Sequence, residues 1–235
     1  MALDLDTAPR IGAGWWLFGH IALVPPVRGA LRLRATGRHH LPAEGPVLIV
    51  CNHISQADPP IIGVAALPRR SYYMAKIELF RIPVLRRIVR GLGAFPVDRG
   101  ASDRRALRLA REILGRGDQM LMFPEGTRRT DGALRPGLPG AGTLGLVPGV
   151  TVIPAAIWGS HRFMRRVRVA FGPPVDLSDL TDGPRSRRSQ VAVDRMMAAI
   201  ADMLPLVGAP AQPPPGVAPQ PEGAGGPDLA RATDG

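Results

Sequence analysis

Across residues 28–205, short apolar runs alternate with stretches of helical periodicity, and this alternation restricts the chain to one broad architecture. The runs at 47–51, 72–75, 93–97, 119–123, 151–157 and 167–171 are short and apolar, as strands buried on both faces must be. Helix-period stretches lie between them at 78–90 and 102–116. In the second, Ala106, Leu109, Ala110, Ile113 and Leu114 share one face and arginines take the other. Ser102 suits its N-cap, and Gly115 or Gly117 its stop. A last amphipathic helix over 189–204 carries Val193, Met196, Met197, Ile200 and Leu204 along its stripe. Strands alternating with helices imply an α/β fold, a mostly parallel mixed sheet flanked by helices. At 235 residues the chain is long enough for one sizeable core with appendages.

Both ends differ in composition from that middle. Residues 11–27, "IGAGWWLFGHIALVPPV", contain no Lys, Arg, Asp or Glu. Their 17 residues fall short of the ~20 that span a bilayer. Asp4 and Asp6 precede them, where a signal peptide would be basic. Trp15 and Trp16 suit a water–lipid interface, so residues 1–36 are expected to form a membrane-associating helical segment. Packing against the protein's own core and a true span are the alternatives. From 208 to 235 the chain is rich in Pro and Gly and lacks aromatics, which implies a disordered tail. The folded domain is expected over 37–207.

Cys51 is the sole cysteine, so no intrachain disulfide forms and a reducing compartment is expected. A formal charge of +11 attracts anions: nucleic acid, an anionic membrane or phosphorylated substrates. Nucleic acid is disfavoured, because the arginines are dispersed, aromatics make up 5% and no nucleic-acid-binding motif appears. A metal site built from His39, His40, Cys51 and His53 lacks a second ligand cluster, so no metal is expected.

Chemistry-bearing residues stand at the ends of the apolar runs. In "CNHISQADPP", His53 and Asp58 are five residues apart. That spacing puts side chains on opposite faces of a strand, and about 140° apart on a helix. They meet only if the chain turns between them, as where the "PVLIVC" strand gives way to a helix starting at Pro-Pro. Asp58 could equally cap that helix. Further on, "GAFPVDRG" ends a run with Asp98 and Arg99, and "MFPEGTRR" places Glu125, Gly126, Thr127 and Arg128 at another strand end. Then "VIPAAIWGS" gives an apolar strand interrupted by Pro154. Ligands of open α/β sheets bind beyond such strand ends. Arg99 and Arg128 offer forks for bidentate phosphate contacts, and Gly126 allows close backbone approach. Ser55 reads as a turn residue. Cys51 reads as a packed thiol, an acyl-enzyme nucleophile being the alternative.

Taken in order, "GRHHLPAEGPVLIVCNHISQADP", "GAFPVDRG", "FPEGTRRTDG" and "VIPAAIWGS" resemble the glycerolipid acyltransferase family, specifically the bacterial 1-acylglycerol-3-phosphate acyltransferases, over residues 37–160. The resemblance implies that His53 and Asp58 are the catalytic pair. It also implies that Arg99 contacts phosphate and that Glu125, Gly126, Thr127 and Arg128 bind substrate. Relatives often carry a lysine–any–glycine element after the third motif; here "RPGLPGAG" stands instead, leaving Arg135 or the other arginines to hold the anion. The implied reaction moves a fatty acyl group from acyl-CoA or acyl carrier protein to lysophosphatidate, without a cofactor. Glycerol-3-phosphate or another lysophospholipid would use much the same residues. The implied place is the cytoplasmic face of the cell membrane, against lipid.

Overall fold

The computed structural model describes residues 7–98, 103–129, 131–161 and 166–215, apart from the His20 side chain. Its framework is a seven-stranded sheet of β1 (Arg34–Thr36), β2 (Val47–Cys51), β3 (Ser71–Lys76), β4 (Ala94–Val97), β5 (Gln119–Met122), β6 (Thr151–Trp158) and β7 (Arg168–Phe171). The spatial order is β1-β7-β6-β2-β5-β3-β4. β2 to β6 all run parallel; β7 is antiparallel to β6, and β1 runs with β7. β2 lies between β5 and β6, with Ile49 opposite Leu121 on one side and Ile153 on the other.

The alternation of side chains along β2 builds a core on each face of the sheet. Leu48 and Val50 pack with the apolar stripes of α5 (Arg104–Gly115), α6 (Pro139–Gly145) and α7 (Arg185–Met203). Val47, Ile49 and Cys51 pack on the other face with Ile61 and Ile62 of α3 (Asp58–Ala65) and Val27 of α2 (Val24–Gly29). Cys51 is fully buried, and that burial pushes its thiol pKa well up, with the Asp58 and Glu125 charges adding to it.

Proline and small residues account for the departures from the sequence expectations. The stretch 78–90 is not one helix. Pro83 starts α4 (Pro83–Gly91), and Ile77–Phe80 forms a separate 3₁₀ turn, because proline tolerates the first helical turn and not the interior. α5 is capped by Asp103, whose carboxylate accepts from Ala106 N at 2.9 Å; Ser102, the expected cap, lies outside the described residues. α7 begins at Arg185, ahead of the expected 189. Pro154 sits inside central β6 because its side of the strand faces past Phe171, where β7 has ended. Its carbonyl there still accepts from Gly172 N at 2.9 Å, and its missing N–H falls just beyond Ala155–Phe171, the last residue pair of the β6–β7 ladder.

The N-terminal segment forms α1 (Ala13–Ala22) and α2. α1 packs its tryptophans inward: Trp15 covers Gly91, and the Arg70 guanidinium lies 5.3 Å from the Trp16 ring centre. Arg70 also donates to Ile11 O at 2.6 Å. On the outer side Leu17, Phe18 and Ile21 are 60%, 46% and 68% exposed. Among the described residues, no helix is long and apolar enough to cross a membrane. At the other end the chain stays docked beyond Gly208, because Gln212 donates to Gly132 O and accepts from Leu134 N, both at 2.8 Å. The remainder of the expected tail, 216–235, lies outside the described residues.

Candidate active site

The site is assembled where β2, β5 and β6 end. Asn52, immediately after β2, fastens that end to β6: its amide oxygen accepts from Ile157 N at 2.8 Å and its amide nitrogen donates to Ile157 O at 3.0 Å. The chain then turns tightly toward α3, and Asp58 organises the turn. Asp58 Oδ2 accepts from Ile54 N and Ser55 N, both at 2.8 Å, and lies 2.9 Å from His53 Nδ1. Its other oxygen accepts from Ser160 Oγ at 2.5 Å. Ser55 Oγ in turn accepts from Ala57 N at 3.3 Å, the local role expected of it.

Asp58 is therefore not the helix cap that its sequence context suggests. Ala57 occupies the N-cap position without a side-chain bond, and Asp58 is the first residue of α3. Its carboxylate reaches back to satisfy the turn behind it, and its charge also complements the positive end of the helix. Both residues are shielded from water, with Asp58 0% and His53 4% exposed. The His53 ring stacks on Phe123, just past β5, with centroids 3.9 Å apart and planes inclined by 18°.

The loop after β5 braces the histidine from its main chain. Glu125 Oε1 accepts from His53 N at 3.0 Å and Oε2 from Arg135 N at 3.3 Å, while Arg129 N donates to His53 O at 2.8 Å. Burial raises the Glu125 pKa to about 7, against the opposing pull of the His53 and Arg135 amides. Each Glu125 oxygen thus accepts from a backbone N–H. Gly126 has φ of +68°, and a Cβ there would lie 2.4 Å from Leu138 Cδ1, so the loop requires glycine. Thr127 is exposed and Arg128 half-buried. With its amide oxygen turned toward Arg128, Gln56 accepts from both terminal guanidinium nitrogens at 3.1 and 3.2 Å. Arg99 lies outside the described residues.

His53 opens onto a cleft of about 630 Å³, a size typical of sites for small molecules. Its walls are mostly apolar, including Met74, Val97, Leu107, Leu121 and Leu138. Ser160, Phe123 and Arg129 were not singled out from sequence as parts of the site. Ser160 is 102 residues from its partner Asp58, and its one signal is its place as a polar residue at the end of an apolar run. Among the described residues there is no group of three or more His, Cys, Asp or Glu side chains that could hold a metal.

A parallel-stranded α/β sheet with a buried His–Asp pair beyond its central strand, facing an apolar cleft, has the parts of a transferase for acyl groups. The chain belongs to the acyltransferase family, whose model matches residues 32–158 and so includes both His53 and Asp58. Among individual proteins, it is 26% identical over 188 residues to the 1-acyl-sn-glycerol-3-phosphate acyltransferase of Bacillus subtilis, covering 78% of this chain and 92% of that one. The enzyme of that name from Streptococcus pneumoniae is 29% identical over 57% of this chain, which spans about half (51%) of its length. The lyso-ornithine lipid O-acyltransferase of Pseudomonas aeruginosa is 33% identical over 61% of this chain and 52% of its own. The fold matches the crystal structure of the LPA acyltransferase PlsC from Thermotoga maritima with a TM-score of 0.55 and 23% identity, over 77% of this chain and 86% of that one.

Proposed function

We propose that this acyltransferase moves a fatty acyl group from a thioester, acyl-CoA or acyl carrier protein, to the free hydroxyl of lysophosphatidate, giving phosphatidate. The observation that carries the proposal is the 2.9 Å His53–Asp58 contact inside a fully bonded turn facing the apolar cleft. A hydroxyl is a weak nucleophile near neutral pH, and a positioned base contributes roughly 10²–10⁴-fold. With His53 Nδ1 held by Asp58, the imidazole takes the hydroxyl proton at Nε2 as oxygen attacks the thioester carbonyl. Asp58 holds the tautomer and stabilises the imidazolium. When the C–S bond breaks, the imidazolium returns the proton to the departing thiolate, so the histidine ends as it began.

The apolar cleft wall suits a fatty chain, and Arg128, together with Arg99, is assigned to the acceptor's phosphate. Glu125 holds the histidine main chain from the loop after β5. The outward apolar side of α1 fits a bilayer surface, which supports a peripheral membrane enzyme, and the lone cysteine fits a place on the cytoplasmic face.

Wild type and His53→Ala are to be compared with labelled acyl-CoA and three acceptors: lysophosphatidate, glycerol-3-phosphate and lyso-ornithine lipid. Expected are transfer chiefly to lysophosphatidate and a fall of roughly 10²–10⁴-fold in the variant. Full activity in His53→Ala would sink the mechanism. Preference for another acceptor would leave the chemistry standing and replace the substrate.

A further inference from the structure

Next to the catalytic cleft lies a second cavity, of about 430 Å³, with a different character. Arg111 of α5 and Arg185 and Arg188 of α7 line it, together with Thr143, Leu146 and Val147. Thr143 lines the catalytic cleft as well, so the two spaces adjoin across α6. Along α5, Arg111 follows the cleft residue Leu107 by one helical turn. From Pro139 in the cleft to Leu146 in the cavity, α6 advances roughly 10 Å at ~1.5 Å per residue.

The cavity is built for negative charge that the described residues do not supply. Arg116, Arg129 and Arg195 pair with Asp118, Asp131 and Asp179, whereas none of the three cavity arginines has a carboxylate partner among the described residues. Arg188 donates through Nη1 to Leu180 O and Thr181 O at 3.3 and 3.1 Å, and its buried Nε has no partner among the described residues. Arg185 is the first residue of the 19-residue α7, which has neither a side-chain cap nor an acidic residue in its first turn. Its positive end therefore adds to the guanidinium charges. α6 and α7 meet closely, with Gly142 backed so tightly against Ser189 O that a Cβ would lie 1.8 Å from it. Thr143 Oγ1 and Ser189 Oγ add a hydrogen bond of 3.0 Å, which joins the two helices beside the cavity.

We infer that this cavity receives the phosphorylated adenosine end of acyl-CoA while the thioester lies at His53 in the adjoining cleft. The inference rests on the acyl-transfer reaction proposed above and specifies its donor. A concave space of nucleotide size, with three guanidinium groups, matches several phosphates and a stackable adenine ring. The flexible pantetheine arm passes Thr143, which lines both spaces.

The test uses Arg111→Glu with Arg185→Gln, both exposed residues, and spares Arg188 because it bonds two carbonyls. Binding of adenosine 3′,5′-bisphosphate is measured by calorimetry, and acyl transfer is measured from acyl-CoA and from acyl-N-acetylcysteamine, which lacks the nucleotide. Loss of charge-assisted contacts should weaken bisphosphate binding and raise KM for acyl-CoA by about tenfold or more. The kcat/KM for the nucleotide-free thioester should stay within about twofold, the range expected of a substitution outside its contacts. Unchanged bisphosphate binding and unchanged acyl-CoA kinetics would overturn the assignment, as would equal losses with both thioesters. An effect seen only with acyl carrier protein, without bisphosphate binding, would also overturn it. If wild type transfers acyl groups to no acceptor, the proposed function fails, while the calorimetry still decides the cavity: binding lost in the variant supports it, and no binding to wild type refutes it.

Discussion

Replacing Asp58 by Asn and by Ala separates the chemistry of this carboxylate from its structural work. In the native turn one oxygen accepts from two backbone N–H groups and lies against the imidazole, and the other accepts from the Ser160 hydroxyl. Asparagine retains an oxygen for the three donors and presents its amide nitrogen to Ser160, whose hydroxyl can accept instead. Stability should then change by only about 1 kcal/mol, the net worth of one hydrogen bond. The charge, however, is gone. At 2.9 Å and an effective dielectric of ~20, a full ion pair corresponds to roughly 6 kcal/mol. Imidazolium developed halfway in the transition state would forfeit about half of that, a fall of roughly 10²-fold in kcat at ~1.4 kcal/mol per decade. Alanine, by contrast, strands the Ile54 and Ser55 N–H groups, at about 1–3 kcal/mol each, a large share of an ordinary domain's 5–15 kcal/mol. Thiol release from acyl-CoA and urea unfolding read the two effects independently. An Asn variant with more than a tenth of wild-type kcat would refute the electrostatic role. An Asn variant as unstable as Ala would refute the hydrogen-bond assignment.

Glu125→Gln tests the raised carboxyl. Its pKa rises from 4.5 unfolded to about 7 folded, so its stabilising protonation is complete below pH 4.5 and lost as pH climbs to 7. The difference is worth about 3 kcal/mol at 1.36 kcal/mol per unit. Denaturant titrations at pH 4.5, 6 and 8 should show this decline in wild type and a flat profile in the variant; equal slopes would count against it. Converting Leu17, Phe18 and Ile21 to Ser should release the protein from anionic vesicles in a flotation assay. At about 1 kcal/mol per half-exposed side chain, the partition coefficient falls by roughly 100-fold. Undiminished flotation would place the membrane contact elsewhere.

Much of the sheet was legible because its strands are buried on both faces and so read as unbroken apolar runs. β1 was not, since Arg34–Thr36 is a three-residue strand with two exposed positions at the sheet edge. α6 was hidden by its glycines, which weaken helix propensity but let α7 approach. The His53–Asp58 spacing correctly demanded a turn. It could not say which groups the second oxygen of Asp58 would serve, because Ser160 lies beyond the end of β6, adjacent in the sheet but 102 residues further along the chain. Glu125 illustrates the same difficulty. Its bracing of the main chain was not legible, because only the folded backbone brings the His53 and Arg135 N–H groups onto its two oxygens.

The single thiol at the end of β2 gives the protein a built-in clock. Cys51 is wholly buried, lies beside Ala155 of β6 and adjoins Asn52, the residue before His53. A modifying reagent can reach it only when the layer of α3 and α2 lifts from its face of the sheet, so one stoichiometric label records how often this layer opens, with no competing cysteine to correct for.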